Sequence, residues 1–302
     1  MIKSLSDMKK GFFSATFFVV MMCIAMSFTA CGNRENAESS VGEIEPNTRF
    51  AAIDTLAEFM TQQFAKNATP SDLESNYQSC SDAISSYWAL NHKDEVENAM
   101  TDIVFNELKA VADKLGEGST TDMMKSSEIF SAVAHYQTAK DYCDNFRGKP
   151  LYQTEMRDWL QLENELADFY GQLATLANWD GSIAKVIAGG SREFLAEKRN
   201  DEYQLLKNGK FADGEPMPLA EARANLIHEL ESAKSLDDDL VNDENYRKSL
   251  KEMREKADKI VVLLDKWLES RKELCEAEKI PEAHTAHFVD KLGRHIMELI
   301  EG

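Results

Sequence analysis

Proline and glycine are scarce in this chain, six and fourteen residues among 302. A sandwich or barrel of many short strands needs turn residues every few positions, and a collagenous or low-complexity polymer needs far more of both. Those architectures are excluded. Basic residues are also short: 34 Lys and Arg stand against 53 Asp and Glu, a formal net charge of −19. Nucleic-acid binding needs cations clustered against phosphate, so a nucleic-acid partner is excluded. Cysteine occurs at positions 23, 31, 80, 143 and 275 and never as Cys-x-x-Cys. That removes the usual zinc-knuckle and dithiol redox signatures. Gly-x-Ser-x-Gly, the phosphate-binding loop and the dinucleotide fingerprint are missing too. The chain therefore reads as a non-enzymatic protein with no cofactor and no metal motif.

What is present begins with one long apolar run. Lys9 and Lys10 precede Gly11–Ala30, whose centre is Phe17-Phe18-Val19-Val20-Met21-Met22. Twenty residues are enough to span a bilayer, but the order of charge, apolar stretch and small residues is that of a secretory signal. Phe28-Thr29-Ala30-Cys31-Gly32 resembles the lipobox of bacterial lipoproteins, with Phe28 where an aliphatic residue is usual. The resemblance implies cleavage before Cys31, a lipid on that cysteine, and an exported protein anchored in the cell envelope, with the outer membrane favoured over the inner and the side left open. Residues 1–30 hold three lysines and one aspartate, which leaves 31 basic and 52 acidic residues and a charge of −21 in the remainder. Cys80, Cys143 and Cys275 then remain as thiols, and three thiols allow at most one internal disulfide.

After the signal (1–30) comes a polar, aperiodic tether (31–48). From Thr48 onward apolar residues recur at three- and four-residue steps, as in Ile53, Leu56, Phe59, Met60 and Phe64. Ser71-Asp72-Leu73-Glu74 reads as a capping box opening the second helix. Further helices are expected near 96–116, 122–146, 151–177, 182–207, 219–234, 243–279 and from Pro281 to the end. Gly189-Gly190 is expected to break the sixth, and Asn178–Gly181 and Asp237–Asp239 to form turns. All six prolines fall between these helices or in the tether. The expectation is an all-α fold of antiparallel helical bundles in two packed regions. A larger helical domain covers 49–207, a linker 208–218 and a smaller domain 219–302.

Two stretches resemble each other. One runs from Trp159 through Asp180-Gly181-Ser182-Ile183 to Leu195, Arg199 and Leu206. The other runs from Trp267 through Arg271 and Cys275 to Leu292 and Arg294. Both are similar to the lysozyme-inhibitor LprI-like domain of bacterial envelope proteins, over about 149–207 and, more weakly, 248–302. The family pairs a Trp with an Arg four residues on and a Cys eight on. The first stretch has Glu163 and Ala167 at those places and keeps the Gly181-Ser182 turn, while the second keeps Arg271 and Cys275. The resemblance implies an envelope domain that binds a protein, with a cationic partner such as a lysozyme. The acidity fits a basic partner, since long-range attraction would steer it.

Two other readings stand beside it: a structural or assembly lipoprotein, and a metal-binding or hydrolytic envelope protein. His284, His287 and His295 share the last helix, and the charge-rich setting reads as a solvated face. Glu163 and Arg271 occupy matching places on the two Trp-bearing helices. Their opposite charges either meet across a helix interface or reach water separately.

Overall fold

The computed structural model describes residues 46–65, 67–92, 97–177, 183–209, 217–236 and 243–301. Cys31, Gly181, Ser182, the signal, most of the tether, residues 210–216 of the linker and the turns expected at Asn178–Gly181 and Asp237–Asp239 lie outside the described residues. Within them the chain is all-α. The helices are α1 (Pro46–Phe64), α2 (Pro70–Asn91), α3 (Met100–Gly116), α4 (Thr120–Asp141), α5 (Pro150–Ala177), α6 (Ile183–Lys207), α7 (Leu219–Lys234), α8 (Glu244–Glu278) and α9 (Glu282–Glu301). Among the described residues no helix is long and apolar enough to cross a membrane.

Local chemistry sets the helix starts. Pro46, Pro70 and Pro150 are each the first residue of a helix, where a missing N–H costs nothing. The capping box of α2 is Thr69 with Asp72, two residues upstream of the one expected at Ser71. The Thr69 N–H donates to Asp72 Oδ2 at 2.9 Å and the Asp72 N–H to Thr69 Oγ1 at 3.2 Å. Pro70 decides this, because it fits the first helical turn and pushes the cap to Thr69. Ser119 and Asp122 repeat the device at α4. Helix α8 ends at Lys279, whose φ of 59° is left-handed and costs a non-glycine residue about 1–2 kcal/mol. Buried Ile280 then bonds back to the Cys275 carbonyl at 2.9 Å, and Pro281 turns the chain into α9.

The break expected at Gly189-Gly190 does not occur; α6 runs unbroken through it. Gly189 is buried against α4, and a Cβ there would lie 3.4 Å from Ser127 Cβ. The glycine serves close approach of α6 to α4, one of the most extensive helix contacts in the molecule. That packing outweighs the ~1 kcal/mol a glycine loses in a helix. Gly293 does the same for α9 on α7, where a Cβ would meet Leu226 Cα at 3.2 Å.

Helix α5 is central. It packs on α6 and on α8, more lightly on α9, and buries residues around much of its circumference. The buried apolar residues form one continuous cluster from Ile53 on α1 to Leu299 on α9. At its middle Trp159 of α5, Trp267 of α8 and Phe288 of α9 meet with ring centroids 5.1–5.7 Å apart. Edge-to-face arrangements of this kind add about 0.5–1.5 kcal/mol per pair beyond the area they bury.

Candidate functional site

Beside the tryptophans lies a sealed cluster of charges. Arg199 of α6 reaches Glu155 of α5 through Nη2, at 2.9 and 2.7 Å from the two carboxylate oxygens. Its Nη1 donates to Glu202 one turn on. Arg271 of α8 pairs with Glu202, approaches Glu155 at 3.6 Å, and donates from Nε to Thr285 Oγ1 of α9 at 3.2 Å. Trp267 Nε1 donates to Glu155 at 2.7 Å. The Arg199 guanidinium lies 4.8 Å from the Trp159 ring and 4.7 Å from that of Tyr203, within cation–π range. The side chains of all four charged residues are at most 2% exposed.

The charges balance. Burial raises the Glu202 carboxyl, but Arg271 and Arg199 outweigh it and hold the group below its ordinary range. His284 of α9 stands 3.8 Å from Glu202, and burial, partly opposed by Glu202, lowers its imidazole below its ordinary 6.5. Two guanidiniums therefore face two carboxylates with a neutral imidazole at the edge. Cys275 Sγ lies 3.6 Å from Thr285 Oγ1 beside this group, and burial raises its thiol despite Arg271. Cys80 is raised by burial as well, and Cys143 is pushed up to about 11. All three thiols are free.

Trp159, Arg199, Trp267, Arg271 and Cys275 thus come together, and Glu163 does not. Arg271 neither snorkels nor meets Glu163; its partners are Glu155 and Glu202. Glu163 instead faces His135 of α4 at 3.3 Å. The three C-terminal histidines do not share a solvated face: His284 is buried, and His295 stacks on Phe194 with centroids 4.1 Å apart and meets Ser191 at 3.0 Å. Sequence reasoning missed Glu155 and Glu202. One signal was available, since Glu155 stands four residues before Trp159 and Glu202 three after Arg199, both on buried helix faces.

A second feature is open to solvent. A cleft of about 250 Å³ lies between α1, α4, α5 and α6. Its lining includes the small residues Ala132, Ala167, Ala188 and Gly189, which leave the space unfilled. The His135 ring stacks on Phe64, its Nδ1 is 2.8 Å from the Ser131 carbonyl, and its Nε2 faces Glu163 Oε1. A carbonyl only accepts, so Nδ1 carries a proton. A proton on Nε2 as well makes the Glu163 contact attractive. Burial lowers the imidazole, but Glu163 and the Ser131 carbonyl outweigh it and raise it above 6.5. Among the described residues no group of three or more His, Cys, Asp or Glu is arranged to hold a metal ion.

Two outcomes follow from these geometries. Arg271→Met strips Glu202 of one buried partner and is expected to cost about 3–5 kcal/mol in urea unfolding. Adding Glu202→Leu leaves Arg199 paired with Glu155 and restores much of the loss; adding Glu163→Leu restores none. The second outcome concerns His135. Its folded pKa lies above its unfolded one, so its stabilisation is full below the unfolded pKa and fades as pH rises through the folded value. NMR titration of the His135 ring should give a midpoint above 6.5, and Glu163→Gln should lower it. The stability gap between wild type and Glu163→Gln should be widest at acidic pH and narrow as pH rises.

Comparison of the chain with protein-family models, with curated proteins and with solved structures finds no match.

Proposed function

We propose that this chain is a lipid-anchored protein of the bacterial cell envelope, at the outer membrane, acting as a non-enzymatic module that binds a cationic protein. The segment that carries the reading is Lys9-Lys10, the apolar run to Ala30, and Phe28-Thr29-Ala30-Cys31. It supports cleavage before Cys31 and a lipid on that residue, with the helical body attached to the membrane through the tether. The excess of acid over base in the remainder, −21, supports a basic partner by electrostatic steering. The resemblance to the LprI-like domain points to a lysozyme as the type of partner. Trp159, Arg199, Trp267 and Arg271, which carry that resemblance, are buried. Their work is in the fold, so a protein partner would read the outer helix faces.

Mass spectrometry of the mature N-terminus tests the anchor. An acylated Cys31 is expected, and Cys31→Ala should leave the precursor uncleaved; an intact peptide spanning residues 25–40 would refute it. The partner is tested by titrating the detergent-solubilised chain into a lysis assay with a basic lysozyme at low and physiological salt. Slowed lysis that survives physiological salt is expected. Binding lost at moderate salt reduces the effect to unspecific charge attraction. An envelope partner that resists high salt would favour an assembly role instead.

A further inference from the structure

We infer that the cleft between α1, α4, α5 and α6 binds a small zwitterion with an apolar side chain, a free amino acid or a dipeptide. The inference is independent of the anchor and of any protein partner.

Several polar groups of the cleft have acceptor capacity to spare. Asn164 of α5 spends its side-chain N–H groups on the carbonyls of Asn67 and Leu160, each at 2.8 Å. Its Oδ1 is left to accept. Thr61 donates its hydroxyl to the Ala57 carbonyl at 2.9 Å and keeps its lone pairs. Glu163 is only 8% exposed. Its Oε1 is sealed from solvent and turned to His135 Nε2 at 3.3 Å, so its other oxygen, Oε2, is the one left to a ligand. Oxygens gathered in this way ask for a ligand that donates, and an ammonium donates three times.

Cations stand at the mouth. Lys185 and Arg192 lie two turns apart on α6 and so on one side of it. Both side chains are solvent-accessible. No carboxylate among the described residues lies within 4 Å of Lys185. The nearest to Arg192 is Asp168 at 3.9 Å, which Lys256 approaches more closely at 3.4 Å. Two under-used cations at the rim suit a carboxylate. Phe64, Met124 and Leu195 with the alanines add apolar lining that suits an aliphatic side chain. An adjoining hollow of about 350 Å³ shares Ala167, Asp168 and Arg192 with the cleft and has room for a second residue. The carboxylates of Glu128, Glu163 and Asp168 and the cations of Lys185 and Arg192 put both signs around one apolar space, which favours a zwitterion over an amine or an acid alone.

The test is calorimetry on the detergent-solubilised full chain with L-leucine and leucyl-alanine as probes. N-acetyl-leucine, which lacks the ammonium, and leucinamide, which lacks the carboxylate, are the controls. At least one zwitterion should bind, and each control should bind at least about tenfold more weakly. Binding of leucyl-alanine without leucine assigns the cleft to peptides, and the reverse to free amino acids. Arg192→Ala changes an exposed side chain, should leave the thermal melt unchanged, and should weaken the zwitterion about tenfold. Ala188→Leu should fill the cleft and abolish binding. Absence of binding by both zwitterions up to ~10 mM overturns the inference. So does N-acetyl-leucine binding as tightly as leucine.

Discussion

Four charges sealed among four helices govern this structure. Glu155 and Glu202 cannot lie where they do without Arg199 and Arg271, because an unpaired ion in so dry a setting costs several kcal/mol. Each carboxylate touches both guanidiniums, and each guanidinium touches both carboxylates. The group therefore ties α5, α6 and α8 together in one relative register, with α9 added through Thr285. A well-packed apolar substitute could be as stable, but it would slide more freely; charges accept few geometries. The tryptophans around the cluster complete it. Trp267 spends its N–H on Glu155, and Trp159 places its ring against Arg199.

The open cleft is a consequence of the same packing seen from the other side of α5 and α6. Where these helices face α8 and α9 they carry Glu155, Trp159 and Arg199. Where they face α1 and α4 they carry alanines and glycine. Large side chains close one side and small ones leave the other incompletely filled. His135 and Glu163 sit in the lining of that space, so the protonation of the cleft is separate from the balanced interior cluster.

Much of the helical fold was readable from the chain. Prolines at 70, 150 and 281 and the spacing of Leu250, Met253, Ala257, Ile260 and Leu264 mark helices by local chemistry alone, while the cap of α2 sits at Thr69 and not at Ser71. Gly189-Gly190 was misread because its reason is a neighbour, Ser127 on α4, that local spacing does not reveal. The ionic partners were misread for a related reason. Arg271 was visible as a charge on an apolar stripe, but with 53 acidic residues its partner depends on how α5, α6 and α8 cross. Glu163, four residues after Trp159, matches Arg271 in spacing, while Glu155, four residues before it, holds the place. Both turns lie on the same face of α5, and the crossing of α6 and α8 over that face selects between them.

The cluster also dictates an order of assembly. Its bonds join residues 44 and 112 positions apart in the chain, so loop-closure entropy opposes them until much of the molecule is in place. A nascent chain that has emerged only as far as α6 holds Glu155, Arg199 and Glu202 but not Arg271. Its interior would then carry one carboxylate too many, exposed by the absence of α8. Closure of α5 on α6 must wait for the long C-terminal helix or proceed with water still between them. Final consolidation of the cluster therefore needs α8 in place and follows the formation of the individual helices.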